Sequence, residues 1–260
     1  GDTSWASQMI IEIGGSKGDC GYAANYGYPL VVDRHLYETI PATDFRKNCF
    51  VDFNIDNLTT NAEKLEALAK YSNEPSYILK AGAAATTYGG NVGGLSVKFR
   101  PVNGACDQPL ATAGAVDVPL MRVEEMKLIE IEAAGMQNES KGIEMLTEFA
   151  KKRDPQYEYG KHNEAYGNTS TSKFQNEVWW QRRVELWGEG FATFDIKRLN
   201  KGIIRSYANS NHFDGDKWNT TKVPDWMTLC IVGSEADVNH ALVNNPIPIA
   251  PTENSDEYVW

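Results

Sequence analysis

The chain has 260 residues, with 35 acidic against 25 basic side chains and a formal charge of −10 at pH 7. That length suffices for one sizeable core or two small ones, and the charge excludes nucleic acid as a partner, because phosphate recognition needs a basic footprint. The 4 cysteines form no CxxC pair, which argues against a zinc site, and no apolar run of about 18 residues is present to span a membrane.

The chain opens at Gly1 with neither a starting Met nor a signal peptide, and reads as a processed or truncated chain. Residues 1–116 are rich in Gly, Tyr, Asn and Thr. Short apolar runs occur at Met9–Ile13 and Leu95–Phe99, with strand-like alternation in Leu95-Ser-Val-Lys-Phe99. Gly14–Tyr28 and Gly82–Gly94 read as long irregular loops. Thr60-Asn-Ala-Glu63 fits a capping box, and Leu65, Leu68 and Ala69 follow at helical spacing, so a helix is predicted over 61–72.

Residues 117–199 read as helical. A helix is predicted from about 118 to 137, with Asp117 as N-cap and Pro119 in the first turn. Its apolar residues (Leu120, Val123, Met126, Ile129, Ala133) are interrupted by Glu124, Glu125, Lys127, Glu130 and Glu132, so charge is not confined to one side. Such a helix sits between layers or contacts another domain. A second helix is predicted over about 140–152 and a third over 172–189. There Ser172-Lys-Phe-Gln175 is another capping box and Gly190 the expected stop. From 200 onward the chain is loop-like, and Asn245-Pro-Ile-Pro-Ile-Ala-Pro251 must be extended, since each Pro disfavours helix before it.

Candidate chemistry is sparse. Arg182, Glu185 and Glu189 fall at i, i+3 and i+7 and share one face of the third helix. Paired carboxylates can run glycosidase chemistry, but such pairs face each other across a cleft. Two acids beside an arginine on one helix read instead as a structural ion network, which Asp195, Lys197 and Arg198 extend. His35, His162, His212 and His240 show no metal-ligand spacing, and Gly89-Gly-Asn-Val-Gly-Gly94 lacks the Lys-Ser/Thr of a phosphate loop. No cofactor motif is present.

The segment Gly21-Tyr-Ala-Ala-Asn-Tyr-Gly-Tyr28 places Tyr22, Tyr26 and Tyr28 beside Asn25. Aromatic faces stack on sugar rings while an amide satisfies hydroxyls, and loops present such groups well. The alternative, that these rings anchor a long loop to the core, is equally compatible with the residues. Trp5, Tyr88, Trp218 and Trp226 raise the same question, with Tyr88 and Trp218 as further ligand candidates; Trp179, Trp180 and Trp187 within the helix read as packing residues. Cys20, Cys49, Cys106 and Cys230 allow three disulfide pairings, and reduced thiols remain an equal alternative.

Arg182-Arg-Val-Glu-Leu-Trp-Gly-Glu-Gly190 followed by Asp195-Ile-Lys-Arg198 resembles the ERR-x-EL-x-x-EG…D-x-x-R signature of the SusD/RagB family. Leu120-Met-Arg-Val-Glu-Glu-Met-Lys-Leu-Ile-Glu-Ile-Glu-Ala-Ala134 is similar to that family's "lRyaEvlLiyAEA" helix. Asn245–Glu253 resembles its closing "PIP…E" element, and Thr43-Asp-Phe-Arg46 its "DpR" turn. The motifs occur in family order over about 40–253. Gln181 departs from the first Glu of the signature, and Phe191 and Ala192 from the usual His/Arg after the glycine.

The resemblance implies a mainly α scaffold with long ordered loops and minor short strands. It treats residues 1–260 as a single C-terminal region, without the family's N-terminal tetratricopeptide-like half. It further implies a non-catalytic protein on the outer face of the bacterial outer membrane, lipid-anchored through a segment preceding this chain. Such a protein would bind an oligo- or polysaccharide and cap a SusC-like TonB-dependent transporter. The alternatives are a glycosidase acting through paired carboxylates, and a purely structural or peptide-binding helical domain.

Overall fold

The structure, a computed structural model, describes residues 13–14, 18–19, 31–71, 75, 78–79, 92–98, 120–245 and 254–260. The chain divides into two compact units, one of Gly1–Val123 with Ala150–Gln156, the other of Glu124–Phe149 with Tyr157–Trp260. The described secondary structure is mainly helical, with one two-residue hairpin, β1 (Ile13–Gly14) against β2 (Gly18–Asp19). The mainly α class expected from the sequence is what the structure has.

In the first unit, three short elements start on an aspartate. Asp33 accepts from Leu36 N to cap α1 (Arg34–Thr39). Asp44 and Asp52 accept from Arg46 N and Asn54 N to start the 3-10 turns Phe45–Cys49 and Phe53–Asn57. Each carboxylate satisfies a backbone donor that a helix start would otherwise leave orphaned. Asp44 also takes the Arg46 guanidinium (Nη2 to Oδ2, 2.6 Å), and both side chains are buried.

The capping box at Thr60 and Glu63 forms as predicted, starting α2 (Asn61–Leu68). The helix ends before the expected residue 72 because Tyr71 turns into the core, its amide donating to Leu68 O and its hydroxyl accepting from Asp52 N. Among the described residues, the predicted alternation at 95–99 yields isolated bridges, Val31 with Leu95 and Phe50 with Ser96. Asp56 secures this segment by accepting from Val92 N and Gly93 N. The core here is Val51, Ile55, Leu68, Tyr71, Ile78, Val92 and Leu95.

The second unit is built on three helices: α3 (Val123–Gln137), α4 (Glu139–Lys151) and α5 (Lys173–Glu185). The start of α3 differs from the prediction, since residues 120–122 are not helical. Leu120 and Met121 lie exposed there, so their burial does not hold another turn. Asp117, Pro119 and the Pro-rich tail at 246–253 fall outside the described residues.

Helix α3 carries apolar residues on two faces. Leu128 and Ile131 are buried with Leu146 and Phe149 of α4 and Phe174 and Val178 of α5, whereas Met126, Ile129 and Met136 are exposed. Gly135 and Gly142 make the helices' close approach possible: a Cβ on Gly135 would occupy the Phe174 ring, and one on Gly142 would meet the Gly135 backbone and that ring.

Helix α5 starts on the predicted capping box of Ser172 and Gln175. Leu186 caps its C-terminus, four residues before the expected stop at Gly190. The intervening turn needs Gly188 (φ 77°) and Gly190 (φ 86°) in the left-handed region, where a side chain is strained. The chain then enters α6 (Ala192–Arg198). A further short helix, α7 (Gly233–Val238), lies near the C-terminal end.

Gly135→Ala tests this packing. Alanine is the better helix former by about 1 kcal/mol, yet its methyl must displace Phe174, a misfit that typically costs about 1–3 kcal/mol. A lower urea midpoint for the variant is expected, and an unchanged or higher one would refute the close approach.

Candidate functional site

Ten of the thirteen residues of α5 are buried: Phe174, Asn176 through Arg182, Val184 and Glu185. Among them are five polar or charged side chains beside the tryptophans and valines, and buried charge must be paired. The Arg182 guanidinium donates from Nε to Asp195 Oδ2 at 2.7 Å, with both side chains nearly inaccessible. Arg198 Nε donates to the other Asp195 oxygen at 2.8 Å and reaches Glu132 with both terminal nitrogens, at 2.5 and 2.9 Å.

One carboxylate on α6 therefore joins arginines of α5 and α6, and Arg198 continues the chain of charges to α3. Burial works against the charge of Arg198, but the two carboxylates prevail and hold its pKa above the ordinary value. Glu185 is buried at the end of α5, and Glu189 lies beyond the helix rather than on its face, because the helix stops at Leu186. Lys197 donates to Met227 O at 3.2 Å instead of entering this network.

Two further polar centres were not singled out by sequence spacing. Glu177 is fully buried; Oε1 accepts from the Tyr157 hydroxyl (2.9 Å) and Oε2 from His162 N (3.0 Å). Burial raises its pKa despite these hydrogen bonds. Lys201 is also fully buried, and its ammonium donates to Ala165 O, Asn168 O, Thr171 Oγ1 and Asn176 Oδ1 at 2.6–3.3 Å. Burial and the nearby Arg183 charge pull its pKa down to about 8. These contacts join residues 15 to 36 positions apart, so only a lone Glu or Lys is visible in the sequence.

The aromatic residues divide by position. Trp179 and Trp180 are buried: Tyr166 meets Trp179 edge-on at 5.0 Å, and the His162 ring stacks parallel on Trp180 at 3.5 Å. Trp187, expected to pack, is half-buried. Trp218 is 5% exposed, with the Arg205 guanidinium 4.5 Å over its ring and Trp226 edge-on at 6.0 Å. Next to it, Asn219 accepts from Arg205 N and Ser206 N and donates to Ser206 O and Asp256 O, using its whole carboxamide. Tyr22, Asn25, Tyr26, Tyr28 and Tyr88 lie outside the described residues, as do Cys20 and Cys106; Cys49 and Cys230 are half-buried.

The two departures in the signature have structural settings. Phe191 packs against the α3–α4–α5 core, with the Arg182 guanidinium 5.9 Å from its ring centre. Gln181 is fully buried, and neither polar atom of its carboxamide has a hydrogen-bond partner among the described residues. A neutral amide costs less to bury there than a carboxylate would. Among the described residues no cluster of His, Cys, Asp or Glu could hold a metal ion, and no helix is long and apolar enough to cross a membrane.

Compared with known proteins, residues 35–256 match the family model described as the SusD family. No curated protein and no solved structure matches the chain.

Two measurements test the buried charges. Asp195→Ala leaves the Arg182 guanidinium buried and unpaired, and a loss of about 3–5 kcal/mol in urea unfolding is expected. Glu132→Ala faces the Arg198 side chain, which is 39% exposed, so water replaces much of the pair and a loss of less than about 1 kcal/mol is expected. Equal losses would contradict this division.

Glu177→Gln keeps the shape and both hydrogen bonds, because the Tyr157 hydroxyl can reverse and accept. A carboxyl whose pKa is raised on folding adds stability that is full below its unfolded value, 4.5, and is lost as pH rises through the folded value. The stability of the wild type relative to Glu177→Gln is therefore expected to increase as pH falls from neutrality toward 4.5. A difference independent of pH, or one that shrinks, would contradict the raised pKa.

Proposed function

This chain belongs to the SusD family, whose members bind nutrients such as glycans at the cell surface, and from that premise we propose that it captures an extracellular oligo- or polysaccharide without turning it over. The observation that carries this reading is the family match over residues 35–256. Members of the family are generally non-catalytic binding proteins that work with SusC-like transporters. The proposed sequel is delivery of the glycan to a SusC-like TonB-dependent transporter. The proposed location is the outer face of the outer membrane, with a lipid anchor on a segment preceding Gly1.

The disposition of charge supports capture over hydrolysis. A glycosidase needs two accessible carboxylates facing each other across the scissile bond. Asp195 is held between two arginines, Glu132 is gripped by Arg198, and Glu177 is sealed from solvent. Asp195 and Glu132 thus brace helices. The proposed ligand platform is the Tyr22–Tyr28 segment with Asn25, joined by Tyr88. Trp218, 5% exposed with Arg205 over one face of its ring, would offer little surface to a ligand.

Glycan-array binding combined with an assay for new reducing ends tests the class, and release of reducing ends at enzyme-like rates would overturn it. Replacing Tyr22, Tyr26 and Tyr28 together with alanine tests the platform. Each stacked ring is worth about 1 kcal/mol, so affinity for the best polysaccharide is expected to fall by about 100-fold with no change in melting temperature. Unchanged affinity would remove this segment from the site.

A further inference from the structure

Residues 203–220 fold back on themselves. Ile204 bridges Asn219 antiparallel, Arg205 N donates to Trp218 O at 3.2 Å, and Thr220 N donates to Ile203 O at 2.9 Å. The chain between these paired segments carries the short 3-10 turn Asp214–Asp216. Asp214 and Gly215 are the one Asp-Gly pair in the sequence.

This pair stands open to water. Phe213 through Asp216 are exposed, and the Asp214 side chain keeps 92% of its accessible surface. Nothing lies within 4 Å of where a Cβ on Gly215 would stand, so no neighbouring atom crowds its backbone. The turn is held by Asp216 N donating to Phe213 O at 2.8 Å and by a long contact of 3.4 Å from Lys217 N to Asp214 O. Neither bond uses the Gly215 N–H, which makes no hydrogen bond among the described residues. Exposed backbone with few contacts opens at little cost. Once it opens, a glycine lets its nitrogen approach the preceding carboxyl with no side chain in the way.

We propose that Asp214 and Gly215 form a site of spontaneous isomerisation through a cyclic succinimide, and that Lys217 slows it. The Gly215 amide nitrogen gives up its proton and bonds to Asp214 Cγ. A carboxyl C–O bond breaks, and that oxygen leaves as water. Water then adds to either ring carbonyl. Addition at Cγ restores aspartate. Addition at the Asp214 main-chain carbonyl leaves the chain running through Cβ and Cγ, as isoaspartate. One water is released and one consumed, so no oxidant or other co-reactant takes part.

The Lys217 ammonium donates to Asp214 Oδ1 at 2.9 Å, and this hydrogen bond and its charge hold the carboxyl below its ordinary pKa. The protonated carboxyl can lose water and the carboxylate cannot, so the ion pair keeps the reactive form scarce. The isomer lengthens the main chain by one carbon inside the loop and outside the paired segments. Loop tips tolerate such insertions, so the rest of the fold is expected to persist.

The full chain is aged over weeks at physiological temperature and neutral pH, then digested with trypsin. Cleavage after Arg205 and Lys217 releases residues 206–217, which also contain Asn209 and Asn211. Isomerisation gives a second form of this peptide with unchanged mass. It resists an aspartate-specific protease at residue 214 and is methylated by isoaspartyl methyltransferase. Asparagine deamidation raises the mass and is separated by it. The wild type is expected to accumulate the isomer and Gly215→Ala to suppress it. Lys217→Gln, whose peptide extends to Lys222, is expected to accumulate it faster, while Lys217→Arg keeps the ion pair and the wild-type rate. A single aspartyl form throughout in the wild type, or equal accumulation in Gly215→Ala, would overturn the site. Lys217→Gln ageing no faster than Lys217→Arg would overturn the protecting role.

Discussion

Helix α5 is surrounded by protein around nearly its whole circumference, and it carries an arginine, two glutamates, an asparagine and a glutamine into that interior. Charge removed from water must be matched inside the protein. The course of the neighbouring chain follows from that requirement. Asp195 must sit where Arg182 ends, which places α6 beside α5. Arg198, one turn further along α6, then reaches Glu132 and joins α3 to the same group. On another side of α5, the loop of residues 157–171 supplies a hydroxyl and an amide to Glu177, and its carbonyls receive Lys201.

This arrangement bears on function through what it removes from consideration. A carboxylate whose two oxygens are taken by two arginines is committed to them, and one sealed beneath Tyr157 and His162 meets no substrate. Arg182, Asp195, Arg198 and Glu132 hold apolar packing and polar pairing together: Arg182 grips Asp195 while its guanidinium lies near Phe191. On the proposed reading, recognition falls to groups outside this centre, which need only be presented by a rigid support.

The sequence made parts of this legible because the interactions are local. Both capping boxes form between residues three apart, as written in Thr60–Glu63 and Ser172–Gln175. Burial of Trp179 and Trp180 follows from placing large apolar groups on a helix. Helix ends were less legible. The turn after α5 uses two left-handed glycines, and Gly190 alone looks like the stop when Gly188 lies inside the apparent period. The start of α3 depends on whether Leu120 and Met121 find anything to pack on, a property of the surroundings rather than of those residues.

By itself the sequence determined the helical class, the two capping boxes and, through the spacing of its motifs, the family. All of these depend on contacts within a turn or two of chain, or on a pattern of residue types. Only the tertiary structure decided which acid Arg182 takes, that Glu132 answers Arg198 across 66 positions, that Lys201 and Glu177 are interior hubs, and that Trp218 is enclosed by Arg205 and Trp226. The reason is geometric. An unpaired charge states in sequence that a partner is required, but which partner comes within 3 Å depends on how distant segments pack, and no spacing along the chain records that.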